Sequence, residues 1–447
     1  MHFLSVFIPL SHLLITSWAQ SEHSITSTGK LRAYDQYNII RFHSNNITHV
    51  LKDVIQPMTN DYDIWTRNTE FIDIKLLKTI KIPNSNEYSH EIIINDINSL
   101  IEETYDSSLG NNDQENIFDV SLKMNNNNND FFYFKQYHPL QSIYLWLDLM
   151  KSTFPNLVTI ENIGTTFENE PLKVVHISSN NSSMNPKNKT ILITGGIHAR
   201  EWISISTTLF TIYQLLTKYG ASKRETKYID SLNFLIIPIF NPDGYKYTWT
   251  NDRLWRKNRQ ETYMSNCQGI DLDHSFGYKW DNNFEFPCSE EYSGQYPMEA
   301  LEVKHWDTFI NDITTRGVHI YGFLDLHSYS QDIIYPYAYS CDELPRDYEN
   351  LLELSYGLSK AIRNKSGKNY KVVAACKDRG SDLNPKLGSG TALDYMYHNK
   401  AYWAFQLKLR DTGNHGFLLP PKYILPVAKE TYAAIKYFCD FILNPEI

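Results

Sequence analysis

Cysteine is scarce in this chain, with five among 447 residues, too few to build a disulfide scaffold. In an oxidising compartment four would pair and one would be left over. Excess positive charge is missing as well: 42 Lys and Arg against 51 Asp and Glu give a formal charge of -9. No basic stripe stands out, so a nucleic-acid backbone is excluded as a partner. Past the first twenty residues no apolar run reaches the roughly 18 residues that span a bilayer, so the mature chain is expected to be soluble, without a membrane span. There is no internal repeat and no heptad pattern. What remains, 42% apolar and 21% charged, is ordinary globular composition in a length that suggests two folded units.

The N-terminus bears on the compartment. Phe3 to Ile15 is mostly apolar, and Ser17-Trp18-Ala19 offers small residues where a signal peptidase reads, so residues 1–19 are read as a signal peptide. A charged leader is absent and Pro9, Ser11 and His12 interrupt the run, which leaves a buried N-terminal strand as the alternative. Asn46, Asn180, Asn181, Asn188 and Asn364 each open a glycosylation acceptor triplet, in keeping with export.

An Asn-rich stretch over residues 111–130 breaks the apolar patterning and reads as a linker. Residues 20–110 before it form a small α+β unit, with strands over Tyr37–Phe42, Glu70–Leu77 and Glu91–Ile94 and helices over Ile47–Ile55 and Asp96–Glu103. Residues 131–447 alternate short apolar strands with amphipathic helices. Strands are expected at Val174–Ser178, Ile191–Thr194, Leu232–Ile239, Gly322–Leu326 and Ala401–Leu409. Helices are expected at Gln141–Phe154, Ile203–Tyr219, Glu349–Ile362 and Val427–Leu443. Such strands imply an α/β fold, a mixed and mostly parallel sheet sandwiched by helices, with its chemistry at the strands' carboxyl ends. Gly195-Gly196 leading into His198-Ala-Arg-Glu201, Asn241-Pro-Asp-Gly, and His327-Ser-Tyr-Ser all fall at such ends.

His198 and Glu201, three apart in a strand-to-helix turn, are close enough for an imidazole and a carboxylate to grip one ion, and His327 could complete a zinc site. By itself a His-x-x-Glu is weak evidence. The surroundings strengthen it, because from about Tyr137 onward the chain resembles the zinc metallocarboxypeptidases of the pancreatic A and B type. The matching blocks are Gly195-Gly-Ile-His-Ala-Arg-Glu-Trp-Ile-Ser204, Asn241-Pro-Asp-Gly-Tyr245, Arg253-Leu-Trp-Arg-Lys257, Leu326-His-Ser-Tyr-Ser-Gln331, Leu409-Arg-Asp-Thr-Gly413 and Gly416-Phe-Leu-Leu-Pro420, in order. The unit before the linker resembles the family's activation domain, with Asp63-Ile-Trp65 where such domains carry an acidic-aromatic turn.

The resemblance implies one Zn²⁺ on His198, Glu201 and His327, with Asp271 on the far nitrogen of His198. It implies a Cys267–Cys288 disulfide; Cys341 and Cys376 are candidates for a second, and Cys439 reads as a buried thiol. It also exposes departures. The family's catalytic glutamate stands three positions before the Asp of the Leu-Arg-Asp-Thr-Gly block, and here that position is Lys408. An ammonium has donors and no acceptor, so it cannot take a proton from a metal-bound water. At ~5 Å and an effective dielectric near ~20, each pair of unit charges interacts by roughly 3 kcal/mol, so the change of sign is large. The neighbours Phe405, Leu407 and Leu409 alternate as a buried strand, which places Lys408 on the opposite, functional face.

The family's Asn-Arg pair, which reads a substrate's terminal carboxylate, is replaced by Asp273-His274, and its capping tyrosine falls at Lys386. Arg200 and Arg256 are kept as vestigial substrate-binding cations, and Leu393 holds the pocket-floor position. This combination resembles the fungal inactive metallocarboxypeptidase-like proteins linked to cell-wall organisation. The expectation is therefore a monomeric, zinc-binding pseudoenzyme, secreted or vacuolar, with a peptide or a wall component as partner. The linker has no dibasic pair, so the activation-type unit is expected to stay attached. A competing reading is an active zinc peptidase of altered specificity, in which Asp273 pairs a cationic substrate end. A third is a carbohydrate-binding module, for which an aromatic content of 14% is the only residue-level support.

Overall fold

The computed structural model describes residues 32–444 except 44–46, 56, 59–61, 69, 84–86, 106–131, 180–188, 283–285 and 382–384, and without the side chains of residues 47, 48, 132, 385 and 386. The signal-type segment, the Asn-rich linker, Asn46, Asn180, Asn181 and Asn188 lie outside the described residues, as does the Lys386 side chain. Asn364 is exposed on a helix.

Eight strands make the large sheet: β5 (Val158–Thr165), β6 (Pro171–Ile177), β7 (Lys189–Gly195), β8 (Leu232–Ile237), β9 (Ile320–Ser328), β10 (Asp332–Tyr335), β11 (Lys371–Ala374) and β12 (Ala401–Leu409). Their order is β11-β10-β12-β9-β7-β8-β6-β5. The centre, β12-β9-β7-β8, is parallel, whereas β6 and β5 on one flank and the β10–β12 pairing on the other are antiparallel. Parallel pairing thus runs through the middle and recurs at the β10–β11 edge; in the middle β8 is buried at every residue and β7 at all but its first. Unbroken apolar runs of this kind need cover on both faces.

Helices supply it: α3 (Leu140–Thr153), α4 (Trp202–Lys218), α5 (Lys223–Ser231), α6 (Pro242–Thr250), α7 (Leu301–Thr315), α8 (Tyr348–Ser366), α9 (Ala375–Arg379), α10 (Ala392–Asn399) and α11 (Ile424–Leu443). Helix α4 is buried from Trp202 through Leu216 and packs between β7, β9 and α11. The hydroxyls of Ser204, Thr208, Thr211 and Thr217 bond back to the preceding turn, as Thr211 does to the Thr207 carbonyl at 2.9 Å.

The N-terminal unit is a four-stranded antiparallel sheet, order β2-β3-β1-β4, from β1 (Tyr37–His43), β2 (Tyr62–Arg67), β3 (Phe71–Leu77) and β4 (His90–Ile94). Helix α1 (Ile47–Val50), continued as a wider turn to Ile55, covers one face with Val50, Val54 and Ile55 against Ile40, Phe42, Ile72, Ile74 and Leu76. The other face and α2 (Ile97–Thr104) share one cluster with Leu254, Tyr329, Phe417 and Leu418 of the large domain. Asp63-Ile-Trp65, expected as a turn, lies inside strand β2 at a register shift between Ile64 and Thr66, and Asp63, Trp65 and Arg67 all reach the large domain.

Cys267 is bonded to Cys288 and Cys341 to Cys376, with Cα atoms 4.7 and 5.3 Å apart; Cys439 is free and buried. Burial raises the Cys439 thiol's pKa, which makes it an inert core group.

Candidate metal centre and its altered pocket

Strand β7 runs out at Gly195, and the chain reverses through Gly196 at φ +67°. A Cβ there would sit 2.7 Å from Ile205 Cγ1, so only glycine lets the turn press against α4. The turn delivers His198 and Glu201. Glu201 caps α4 by position, yet its side chain makes no capping bond and is left to the site. From β9, His327 arrives beside them. His198 Nδ1 lies 2.8 Å from Glu201 Oε1, and His327 Nδ1 lies 3.1 Å from Glu201 Oε2. Ligand atoms of the three residues fall within 4.8 Å of one another, and all three residues are buried.

Each histidine is oriented from behind. His198 Nε2 meets Asp271 Oδ1 at 3.2 Å, and His327 Nε2 meets Asp325 Oδ2 at 2.9 Å. A proton held on each Nε2 by a carboxylate leaves both Nδ1 lone pairs facing inward, which is the arrangement that supports a metal. Two imidazoles and a carboxylate are a donor set that fits zinc. The electrostatics agree. Burial disfavours a charged Glu201, but His198 and His327 outweigh it and hold the carboxyl well below its usual range. Burial likewise disfavours a charged His327, yet Asp325 and Glu201 push its pKa up to about 10.

The other half of the site is different. Strands β12 and β9 pair Lys408 with His327 in parallel register, so the lysine emerges on the same sheet face as His327. Phe405, Leu407 and Leu409 are fully buried on the opposite face. The amine does not turn to solvent: Lys408 Nζ donates to both oxygens of Asp378 at 2.6 and 2.8 Å, with its side chain 16% exposed and that of Asp378 2%. A charge-assisted pair of this kind engages two of the three ammonium donors and supplies no acceptor.

Asp273 and His274 are both fully buried. The expectation that Asp273 is free to pair a cationic substrate end is overturned. Its carboxylate is bonded to Arg379 Nη2, accepts from the Ala392 backbone N–H at 3.0 Å, and has the Gln406 amide at 3.3 Å. His274 bonds the Ser389 carbonyl through Nδ1 at 2.9 Å, with Arg379 Nη1 3.4 Å from its other nitrogen. Leu393 is buried next to these groups in sequence. Asp378 and Arg379 are adjacent on α9, so one short segment, tied down by Cys376, neutralises both altered positions.

Of the two retained arginines, Arg256 grips Asp271 Oδ2 through Nη2 at 2.7 Å. Arg200 is fully buried and donates to Asp63 Oδ2 of the N-terminal unit at 2.8 Å, while its guanidinium lies over the Phe417 ring. Burial opposes charge on Asp63, but Arg200 and Lys75 lower its pKa to about 2. Arg67, farther along the strand, lies 3.6 Å from Glu291. Trp65 packs tilted against Phe417, with centroids 5.2 Å apart. Strand β2 therefore packs directly on Arg200 and Phe417 of the large domain.

Residues 143–434 match the model of the zinc carboxypeptidases, the peptidase family M14. The chain belongs to the zinc carboxypeptidase family. It is 59% identical over 415 residues to "Inactive metallocarboxypeptidase ECM14" of Saccharomyces cerevisiae, covering 93% of this chain and 94% of that one. A relative of the same name from Arthroderma benhamiae is 38% identical over 449 residues, covering 93% of this chain and 75% of the other. Among solved structures, thrombin activatable fibrinolysis inhibitor superposes with TM-score 0.73 at 26% identity, covering 92% of this chain and 100% of that chain. Carboxypeptidase A of Helicoverpa armigera gives TM-score 0.74 at 23% identity over 92% of this chain and 98% of that one, a likeness of fold. Within the zinc carboxypeptidases the chain is an inactive member, a pseudoenzyme.

Four participants escaped the sequence reading. Asp325 carried a signal, since it stands two residues before His327 on one strand face. Gln406 carried the same one relative to Lys408. Asp378 and Arg379 carried none, because they reach Lys408 and Asp273 across sequence separations of 30 and 106 residues.

Proposed function

We propose that this chain binds zinc through His198, Glu201 and His327 and acts by binding a partner without cleaving it, in cell-wall organisation, after entering the secretory route to the exterior or the vacuole. The observation that carries the reading is the pairing of a complete ligand set with an Asp378-bound ammonium at Lys408. Zinc would supply Lewis acidity and would tie together the ends of β7 and β9. What the chain's own residues do is orient that ligand set and withhold a base. Two disulfides, the signal-type segment and the acceptor triplets support an oxidising compartment. The cell-wall role rests on the resemblance to the fungal inactive group. Elemental analysis of protein purified without chelator tests the metal: one zinc per chain, lost in His198→Ala, is the expected result, and a metal-free wild type refutes it. A deletion strain with unaltered resistance to wall-perturbing dyes would count against the wall role.

A further inference from the structure

Lys408 is one obstacle to chemistry in this pocket; a second lies at Asp273. Its carboxylate is fully buried and is met from three directions: the Arg379 guanidinium, the Ala392 backbone N–H at 3.0 Å, and the Gln406 amide at 3.3 Å. A guanidinium, a backbone donor and an amide converging on one carboxylate form a carboxylate receptor, and a charge-assisted contact with the guanidinium dominates it. Gln406 also lies 2.8 Å from His327 Nε2, so the receptor is one side chain away from the metal ligands. The cation comes from α9, held by the Cys341–Cys376 bridge, and not from the stretch in which Asp273 itself stands.

We infer that Arg379, Ala392 N–H and Gln406 constitute a working carboxylate-binding site whose resident ligand is the chain's own Asp273, so that the pocket is permanently self-occupied and cannot read a free C-terminus. This inference rests on the hydrogen-bond geometry and holds whether or not zinc is bound. The consequence is that the chain treats a peptide acid and the matching peptide amide alike. Removal of the internal carboxylate leaves a buried guanidinium and a cavity of carboxylate size, which a small external carboxylate can fill.

Chemical rescue of full-length protein tests this, with formate as probe and chloride as control at equal ionic strength. Asp273→Gly is expected to melt several degrees below wild type in chloride and to regain at least half of that loss in formate. Wild type and the Asp273→Gly/Arg379→Gln double variant are expected to show the same melting temperature in both salts. Equal formate shifts in the single and double variants would show that the anion acts elsewhere and overturn the inference. Should Asp273→Gly fold in neither salt, Asp273→Ala is the second variant: it opens the same space and removes the charge with less loss of backbone rigidity. A formate-specific rise in its melting temperature, absent from wild type, supports the receptor, and no rise refutes it.

Discussion

The two halves of the site are built from the same sheet edge and have opposite characters. In the metal half, His198, Glu201 and His327 point their donor atoms at one place, and Asp271 and Asp325 stand behind the histidines. In the other half, Lys408 and Asp273 are turned to partners of the chain's own making, Asp378 and Arg379. The metal half is arranged to hold something that arrives; the other half is closed on itself. The altered half is therefore a self-consistent charge network and not one missing group.

That contrast is broken most severely at the ligands. Replacing His327 by Ala removes a ligand and leaves Glu201 with one histidine, so zinc affinity should fall by more than the 10–100-fold typical of a supporting residue. Asp325→Asn should fall within that range. Titration with a competing chelator measures both, and unchanged affinity in His327→Ala would remove the metal half altogether.

The closed half is tested by Asp378→Asn, which strands a mostly buried ammonium. The cost is expected at about 3 kcal/mol, below the ceiling for a fully buried pair because Lys408 keeps some exposure. Lys408→Glu should not restore turnover, because it sets a carboxylate against Asp378. It should also destabilise, whereas Lys408→Glu combined with Asp378→Asn should recover much of the lost stability. Urea midpoints of the four proteins close the cycle, and additive effects would deny the pair any coupling.

Away from the site, Glu302 gives a pH dependence with a definite sign. Burial raises its pKa from the ordinary 4.5 to about 7. One oxygen accepts from Asn258 at 2.9 Å, while the other has no partner among the described residues. Between about pH 4.5 and 7 the folded chain keeps this proton and the unfolded chain has lost it, so stability falls as pH rises through that window. Glu302→Gln should therefore raise stability at pH 7 by on the order of 2–3 kcal/mol and change it little at pH 4.5. An equal effect at both values would rule out the titration. The smallest effect is expected at the domain boundary: Arg32 is half exposed beside Asp252, so Arg32→Ala should cost less than about 1 kcal/mol.

The sequence exposed what periodicity and short-range spacing carry. Strands β7, β8, β9 and β12 and helices α4, α8 and α11 were readable because their apolar runs are long, and His198 with Glu201 because one turn separates them. Strands β10 and β11, four residues each, and helix α9, five residues, are too short to leave a period. Helix α7 was passed over even though Val303, Trp306, Ile310 and Ile313 mark its buried face. At the site, the identity of Lys408 was plain while its partner was hidden, because an ion pair between distant segments exists only in the folded chain. The same gap made Asp273 look available when it is already engaged.

The central claim concerns turnover, and a single assay addresses it. Zinc-loaded protein, intact and with residues before 131 removed by limited proteolysis, is incubated with a panel of blocked dipeptides covering apolar, basic and acidic C-terminal residues. No release of the terminal residue above the no-enzyme control is expected from either form. Release that disappears in His198→Ala would contradict the account.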